Sequence, residues 1–425
     1  MPAPELRAPR CDHDRMTVWA ASVEPEPSAI VSLFWIAAAA VAAPLLSRLL
    51  RGLIPDVVLL LGLGVVLGPH VLAFAGTGGG VELLSELGLG MLFLLAGYEL
   101  DPKLLGGKPG RTAWLTWLAG LVLALLLVWL AASDAGFTAL IAVAIALSST
   151  ALGTLLPIVK QDGVLEQPLG RAVLAHGAVG ELGPVLAMSI LLTGHNLLAS
   201  VVVLVLFGAA AAVVAWVPQR ILDRHPGAER LIATLATGTT QLPVRLVFLL
   251  LLILMTVAEV FELDVVLGAF AAGLILRRLM AETHPEIQDS LETIGYGVLI
   301  PIFFVASGMG IDPAAVAAEP LMWVLFVVAI GVARGSTVWL SERFVPHGAN
   351  LEHPHERVQL ALYAATGLPI IVAVTQVAVR GELMTATMAS TLVAAGATTV
   401  LLFPLLATWV RGRAGEATPE HDARR

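Results

Sequence analysis

An acid in the middle of an apolar run is the side chain best placed to do chemistry in this chain. Glu181 lies in His176-Gly177-Ala178-Val179-Gly180-Glu181-Leu182-Gly183-Pro184, within a stretch from Pro168 to about Thr193 that otherwise reads as a membrane-spanning helix. Thirteen residues at 1.5 Å each set Glu181 about 20 Å from Pro168, roughly mid-bilayer. An acid at that depth costs about 2.5–3.5 kcal/mol on insertion scales, so its default reading is functional. A carboxylate held away from water cannot stay both charged and alone, so a proton and a cation compete for it, which is the simplest form of ion exchange. Its rival reading is a structural Glu paired permanently with a base. Arg334 is the only basic residue inside a span. It either snorkels to a membrane face or neutralises Glu181 or the carbonyl ends of broken helices. His176 stands five residues before Glu181, about 140° round a helix, so the two do not share a face. It reads as a hydrogen-bonded core residue more readily than as a proton relay.

The elements that must hold these groups are transmembrane helices. With 58% hydrophobic and 13% charged residues over 425 positions, the chain exceeds soluble norms, and its long Leu, Ala and Val runs exclude the short alternating strands of a barrel. The fold class expected is an all-α polytopic membrane protein. Thirteen candidate spans fall near 28–50, 53–70, 84–99, 112–132, 136–158, 168–193, 196–217, 244–261, 263–280, 291–309, 320–342, 356–379 and 386–410. With that count, 19 of the 24 Lys and Arg residues collect on one face, which predicts an outside N-terminus and a cytoplasmic C-terminus. The formal charge of -8 comes with no basic stripe, so nucleic acid is not an expected partner. The lone Cys11 cannot make an internal disulfide, and no cofactor is expected.

An internal repeat emerges once the spans are numbered. Phe93-Leu94-Leu95-Ala96-Gly97-Tyr98-Glu99-Leu100-Asp101-Pro102 ends the third span, and Phe304-Val305-Ala306-Ser307-Gly308-Met309-Gly310-Ile311-Asp312-Pro313 ends the tenth. The copies are seven spans apart, so they cross the membrane in opposite senses, as in inverted-repeat transporters. Hydroxyls, Gly and Pro interrupt the fifth span (Ser148, Ser149, Thr150, Gly153, Pro157) and the twelfth (Thr366, Gly367, Pro369) at the same offset. Paired interruptions point to a binding site between repeats, with close helix packing as the plainer reading. The expected division is a disordered tail over 1–27, a transmembrane unit over 28–410 and a short polar tail over 411–425, too short for a folded regulatory domain. Within the unit, the first repeat covers 28–193, a linker helix 196–217, a polar connector 218–243 and the second repeat 244–410. At the span ends, Glu259, Glu262 and Asp264 read as an outer rim, Glu99 and Asp101 as a helix stop or vestibule lining, and Gln376 as packing near a ligand path.

These segments resemble the monovalent cation:proton antiporter-2 family of the cation/proton antiporter superfamily, over about residues 30–410. The resemblance rests on Leu94–Pro102, Ala146–Ala151 (Ala-Leu-Ser-Ser-Thr-Ala), Leu267–Leu274 (Leu-Gly-Ala-Phe-Ala-Ala-Gly-Leu) and Pro301–Gly308 (Pro-Ile-Phe-Phe-Val-Ala-Ser-Gly). It implies a homodimer with a scaffold and a mobile core, two crossed interrupted helices, and an elevator-like movement of the ion site. It further implies exchange of Na+ or K+ for H+, with Glu181 as the shared site and Ser149, Thr150 and Thr366 near the ligand. Family members usually present Asp-Asp, Asn-Asp or Gln-Asp where this chain has Gly180-Glu181, so both positions depart. A single acid implies electroneutral exchange. The nucleotide-binding C-terminal domain of glutathione-gated potassium efflux relatives is missing from this sequence, so that gating is not carried over. Rival functions are a symporter or organic-ion exporter on the same scaffold, and a non-transporting membrane sensor. An enzyme is not expected, because no paired acids, metal-spaced His or nucleophile–base set occurs at membrane depth.

Overall fold

Every expected span contains a helix in the computed structural model, which describes residues 27–132, 136–153, 155, 159, 163–164, 167–192, 197–224, 241–280, 285–345, 351 and 353–416. In chain order the helices are α1 (Ala29–Leu49), α2 (Asp56–Leu67), α3 (Gly80–Glu99), α4 (Gly107–Ala131), α5 (Phe137–Leu147), α6 (Pro168–Leu191), α7 (Leu197–Arg224), α8 (Leu242–Val260) and α9 (Val265–Met280). They continue with α10 (Ile287–Met309) and α11 (Pro320–Phe344), each carrying a π turn, then α12 (Pro354–Ala364), α13 (Leu368–Arg380) and α14 (Ala386–Glu416). Among the described residues ten helical stretches are long and apolar enough to cross a membrane, α12 and α13 together making one of them. The short apolar helices α2 and α5 accompany them. Cys11, Pro157 and most of the 218–243 connector lie outside the described residues. Two expected boundaries move: α7 runs through 217 to Arg224, and α14 runs past 410 to Glu416.

The helices sort into two bundles. α1, α2, α3, α8, α9 and α10 pack chiefly on one another, as do α4, α5, α6, α11, α12, α13 and α14, while α7 touches α6, α8 and α9. Lipid tails are as apolar as Leu, so helices in a bilayer associate through close fit, and small residues allow it. In the first bundle Gly97 of α3 faces the Phe270 carbonyl of α9, and Gly273 of α9 faces the Leu94 carbonyl of α3, too near for any Cβ. Gly64 of α2 and Gly308 of α10 form the same kind of seam. The family-like segments 94–102, 267–274 and 301–308 are therefore the packing seams of this bundle.

Burial runs opposite to that of a water-soluble bundle. Large apolar side chains such as Val41, Val122, Val205, Leu249 and Leu325 are exposed on the outer helices, where they meet lipid. The polar residues Ser149, Thr150, His176, Glu181, Arg334 and Thr366 are all buried. Most buried of all is α6, 83% of whose span is enclosed, against 17% for α7.

The repeat ends are built alike. Asp101 accepts from the Lys103 N–H at 2.9 Å and caps the short helix Pro102–Leu105. Asp312 accepts from the N–H groups of Ala314 and Ala315 at 2.9 and 3.2 Å and caps Pro313–Ala318. The shared sequence is thus a helix stop whose Asp satisfies N–H groups that the next short helix leaves without partners.

Candidate functional site

The two interruptions cross each other. α5 stops at Leu147, Ser149 to Ala151 are non-helical, and helical geometry resumes at Leu152. α12 stops at Ala364 and α13 begins at Leu368 with Pro369 in its first turn, where a missing N–H costs nothing. Backbone groups freed at membrane depth must find partners inside the protein, and here they find one another. The Ala151 N–H donates to the Thr366 carbonyl at 2.7 Å, and the Thr150 N–H to the Gly180 carbonyl of α6 at 2.8 Å. The Thr150 hydroxyl donates to the Ala364 carbonyl at the open end of α12. Ser149 Oγ donates to the Ala146 carbonyl at 2.7 Å and reaches the Gly367 carbonyl at 3.4 Å. Thr366 Oγ1 donates to the Tyr363 carbonyl at 2.8 Å.

Arg334 is wholly buried and does not snorkel. It sits in the π turn Gly331–Ser336 of α11, the kind of helix defect that gathers at functional sites. Its Nε donates to Thr150 Oγ1 at 2.9 Å and its Nη2 to the His176 carbonyl at 2.7 Å. A hydrogen-bond chain therefore runs from the guanidinium through the Thr150 hydroxyl to the carbonyl end of α12, where a positive charge offsets the helix dipole. Arg334 meets the open end of α12 only through the Thr150 hydroxyl, and its direct carbonyl partner is His176 in the unbroken α6. Its Nη1 has no partner among the described residues.

Glu181 is 4% exposed, and its Oε2 has no hydrogen-bond partner among the described residues. A backbone hydrogen bond from Leu152, in the resumed half of the fifth span, reaches the carboxylate. The site thus combines an acid with one free oxygen, a fixed guanidinium and the carbonyl ends of two interrupted helices. That arrangement can hold a desolvated cation or a proton, one at a time. Gly180 is explained locally: a Cβ there would lie 2.5 Å from both Arg334 Nη2 and Thr150 Oγ1. Arg334 and Thr150 occupy the room that a side chain at position 180 needs.

The His176 ring points away from Glu181. Its Nε2 lies 3.2 Å from Glu342 Oε1, both side chains 3% exposed, and this pair ties α6 to α11. Sequence reasoning passed over Glu342, because an acid near the polar end of an apolar run reads as a solvated helix end. Gln376 Nε2 donates to Ser307 Oγ at 3.1 Å, linking α13 to α10. Beside it a cavity of about 350 Å³ is lined by Glu82, Glu86, Ser307, Thr375 and Arg380. Arg380 and Glu86 form an ion pair of 2.8 Å across its mouth. Glu99 and Arg277 lie at the other end of α3.

Two broken spans whose interruptions meet, with a buried acid beside them, are the fabric of a secondary transporter. The chain belongs to the sodium/hydrogen exchanger transmembrane family, whose model it matches over residues 36–410. The superfamily expected from the motifs is borne out, and an integral multi-pass membrane protein of a transporter family follows. The chain is 27% identical over 292 residues to a Na(+)/H(+) antiporter of Enterococcus hirae, covering 66% of this chain and 72% of that one. It is 26% identical over 330 residues to the glutathione-regulated potassium-efflux system protein KefC of Escherichia coli, covering 74% of this chain and 50% of that one. The chain thus spans about half the length of some curated relatives it matches. Its fold is that of the sodium proton antiporter MjNhaP1 from Methanocaldococcus jannaschii, with a TM-score of 0.64 at 17% identity over 91% of this chain and 98% of that one.

Proposed function

We propose that the protein is a secondary antiporter that exchanges a monovalent cation, Na+ or K+, for H+, with Glu181 as the group the two ions share. The observation that carries this reading is the Glu181 carboxylate, 4% exposed with one oxygen unpartnered among the described residues, beside the crossed interruptions. Deprotonated, it is a buried charge that recruits a cation. Protonated, it is neutral and returns without one, so the two fluxes are coupled. The Ser149 and Thr366 hydroxyls spend their protons on carbonyls, which leaves lone pairs to face a cation. The Thr150 hydroxyl donates to a carbonyl and keeps one lone pair besides the one that accepts from Arg334 Nε. Arg334 and His176 position this frame and do not carry the ion.

With Glu181 the one acid that its own bundle brings to the site, exchange is one for one and electroneutral. The α4–α6 and α11–α14 bundle moves against the other in an elevator-like step, and the protein works as a homodimer in the plasma (inner) membrane, N-terminus outside and C-terminus in the cytoplasm. Support for the motion comes from the division of packing into two bundles, and support for the orientation from the 19 basic residues on one face.

The test is cation-dependent proton flux in proteoliposomes, first with the membrane potential clamped and then varied. Glu181→Gln is expected to abolish exchange while the protein still inserts, and full activity of that variant sinks the assignment. A flux that follows the applied potential overturns electroneutrality. Substrate-dependent pH changes with an organic ion in place of Na+ or K+ favour the exporter reading.

A further inference from the structure

Glu99 ends α3, and the carbonyls of that helix end are already engaged. Arg277 Nη1 of α9 donates to the Tyr98 carbonyl at 2.8 Å and to the Glu99 carbonyl at 3.0 Å. The Glu99 side chain is left to point elsewhere, and its Oε2 is buried without a hydrogen-bond partner among the described residues. It lies 3.9 Å from where a Cβ on Gly153 would stand. Gly153 follows Leu152, whose backbone hydrogen-bonds the Glu181 carboxylate. Two carboxylates therefore converge on one turn, 152–153, from different bundles: Glu99 from α3 and Glu181 from α6. Glu181 is itself 4% exposed, and its Oε2 has no hydrogen-bond partner among the described residues. Two buried acids brought to one turn in a low-dielectric interior are stabilised by a proton or a cation that they share. Arg334 is not placed between them: its hydrogen bonds go to Thr150 and His176, and it makes no ion pair with either acid among the described residues.

We propose that Glu99 is a second carboxylate of the transport site, which binds a monovalent cation together with Glu181 at the 152–153 turn in the conformation described. The proposal rests on the antiport reading. Because Glu99 belongs to the other bundle, it does not travel with Glu181: the moving site keeps one acid and one-for-one exchange is retained. Glu99 acts at one membrane face only, raising affinity there. The charged and titratable groups facing it are Arg277 on α9, Glu292 and Tyr296 on α10, Glu181 on α6 and Asp101 beyond its own helix.

The experiment uses the full chain in right-side-out and inside-out proteoliposomes, with Na+ and K+ each offered at one face over a range of pH. Glu99→Gln is expected to raise KM about tenfold at the Arg277 face, to leave KM at the Arg380 face unchanged, and to shift the pH profile at the Arg277 face alone. Glu99→Asp, which keeps the charge, is expected to recover most of the affinity, as a purely structural role does not require. If the Gln variant does not assemble, Glu99→Asn, which also removes the charge, carries the test: a KM raised at the Arg277 face alone supports the proposal, and a KM unchanged at both faces overturns it. Active Glu99→Gln with wild-type KM at both faces overturns the proposal and leaves antiport standing. Wild-type vesicles without cation-dependent proton flux overturn both.

Discussion

Position 180 is where a single missing atom organises the site. With no Cβ there, Thr150 donates its N–H to the Gly180 carbonyl while Arg334 Nη2 passes beside it to His176. Gly180→Ala forces one of these groups to move, and overpacking of this kind costs about 1–3 kcal/mol. It should lower the thermal midpoint in detergent and impair exchange, and an unchanged midpoint would contradict the geometry. Gly180→Asp, which restores the acid pair usual in the resembling family, should fare worse, since it adds a carboxylate where the guanidinium already stands. Arg334→Lys should not rescue Arg334→Ala. One ammonium cannot copy the fork that meets Thr150 and the His176 carbonyl together, and a lost hydrogen bond to a charged donor costs about 1.5–3 kcal/mol. Thermal midpoints of the three proteins decide this. Glu181 was legible from sequence because an acid at mid-span is costly wherever it lies. Glu99 and Glu342 were not, because each sits near a span end, where hydropathy cannot separate a solvated acid from one folded inward.

At the scale of the helix, two π turns set which way polar groups face. Gly331–Ser336 aims Arg334 inward from a helix whose other residues Leu321, Val324, Leu325 and Val328 are exposed to lipid. Deleting Val332 restores α-helical register and turns the following residues by about 100°. The deletion should detach Arg334 from Thr150, seen as faster hydrogen exchange at 148–152 in the folded protein. Unchanged exchange there would show that the turn does not position Arg334. The other turn, Gly295–Leu299, contains Tyr296 on the Glu99 side. Apolar period and punctuation made the helices readable, and Gly, Pro and hydroxyls made both interruptions readable. A π turn leaves no such mark, since it adds one residue to a helix without changing its composition. The motifs behind the family resemblance proved to be backbone seams at Gly97, Gly273 and Gly308, so family was easier to read than ion site.

At the scale of the molecule, polar ties between the bundles gather at the end opposite Glu99: Arg380 to Glu86 at 2.8 Å, Gln376 to Ser307 at 3.1 Å, and the Asp312 N–H to Ser390 Oγ at 3.3 Å. If the bundles move against each other, these ties break and re-form in each cycle. With Cys11 changed to Ser, Glu86→Cys and Arg380→Cys place two thiols in an otherwise cysteine-free chain. Bridging them with a short bis-maleimide should stop exchange, while either single variant treated alike should keep it. Full activity of the bridged protein would exclude movement at this contact. The glycine seams at 64 against 308 and 97 against 273 carry a further consequence, for the freedom of the sequence to drift. A saturation library sorted by folded yield should reject even alanine at those four positions. It should accept most apolar residues at Val201, Val205 and Val213 on the lipid-facing side of α7. The least variable parts of such proteins would then be places where nothing binds, held constant by the thickness of two backbones in contact.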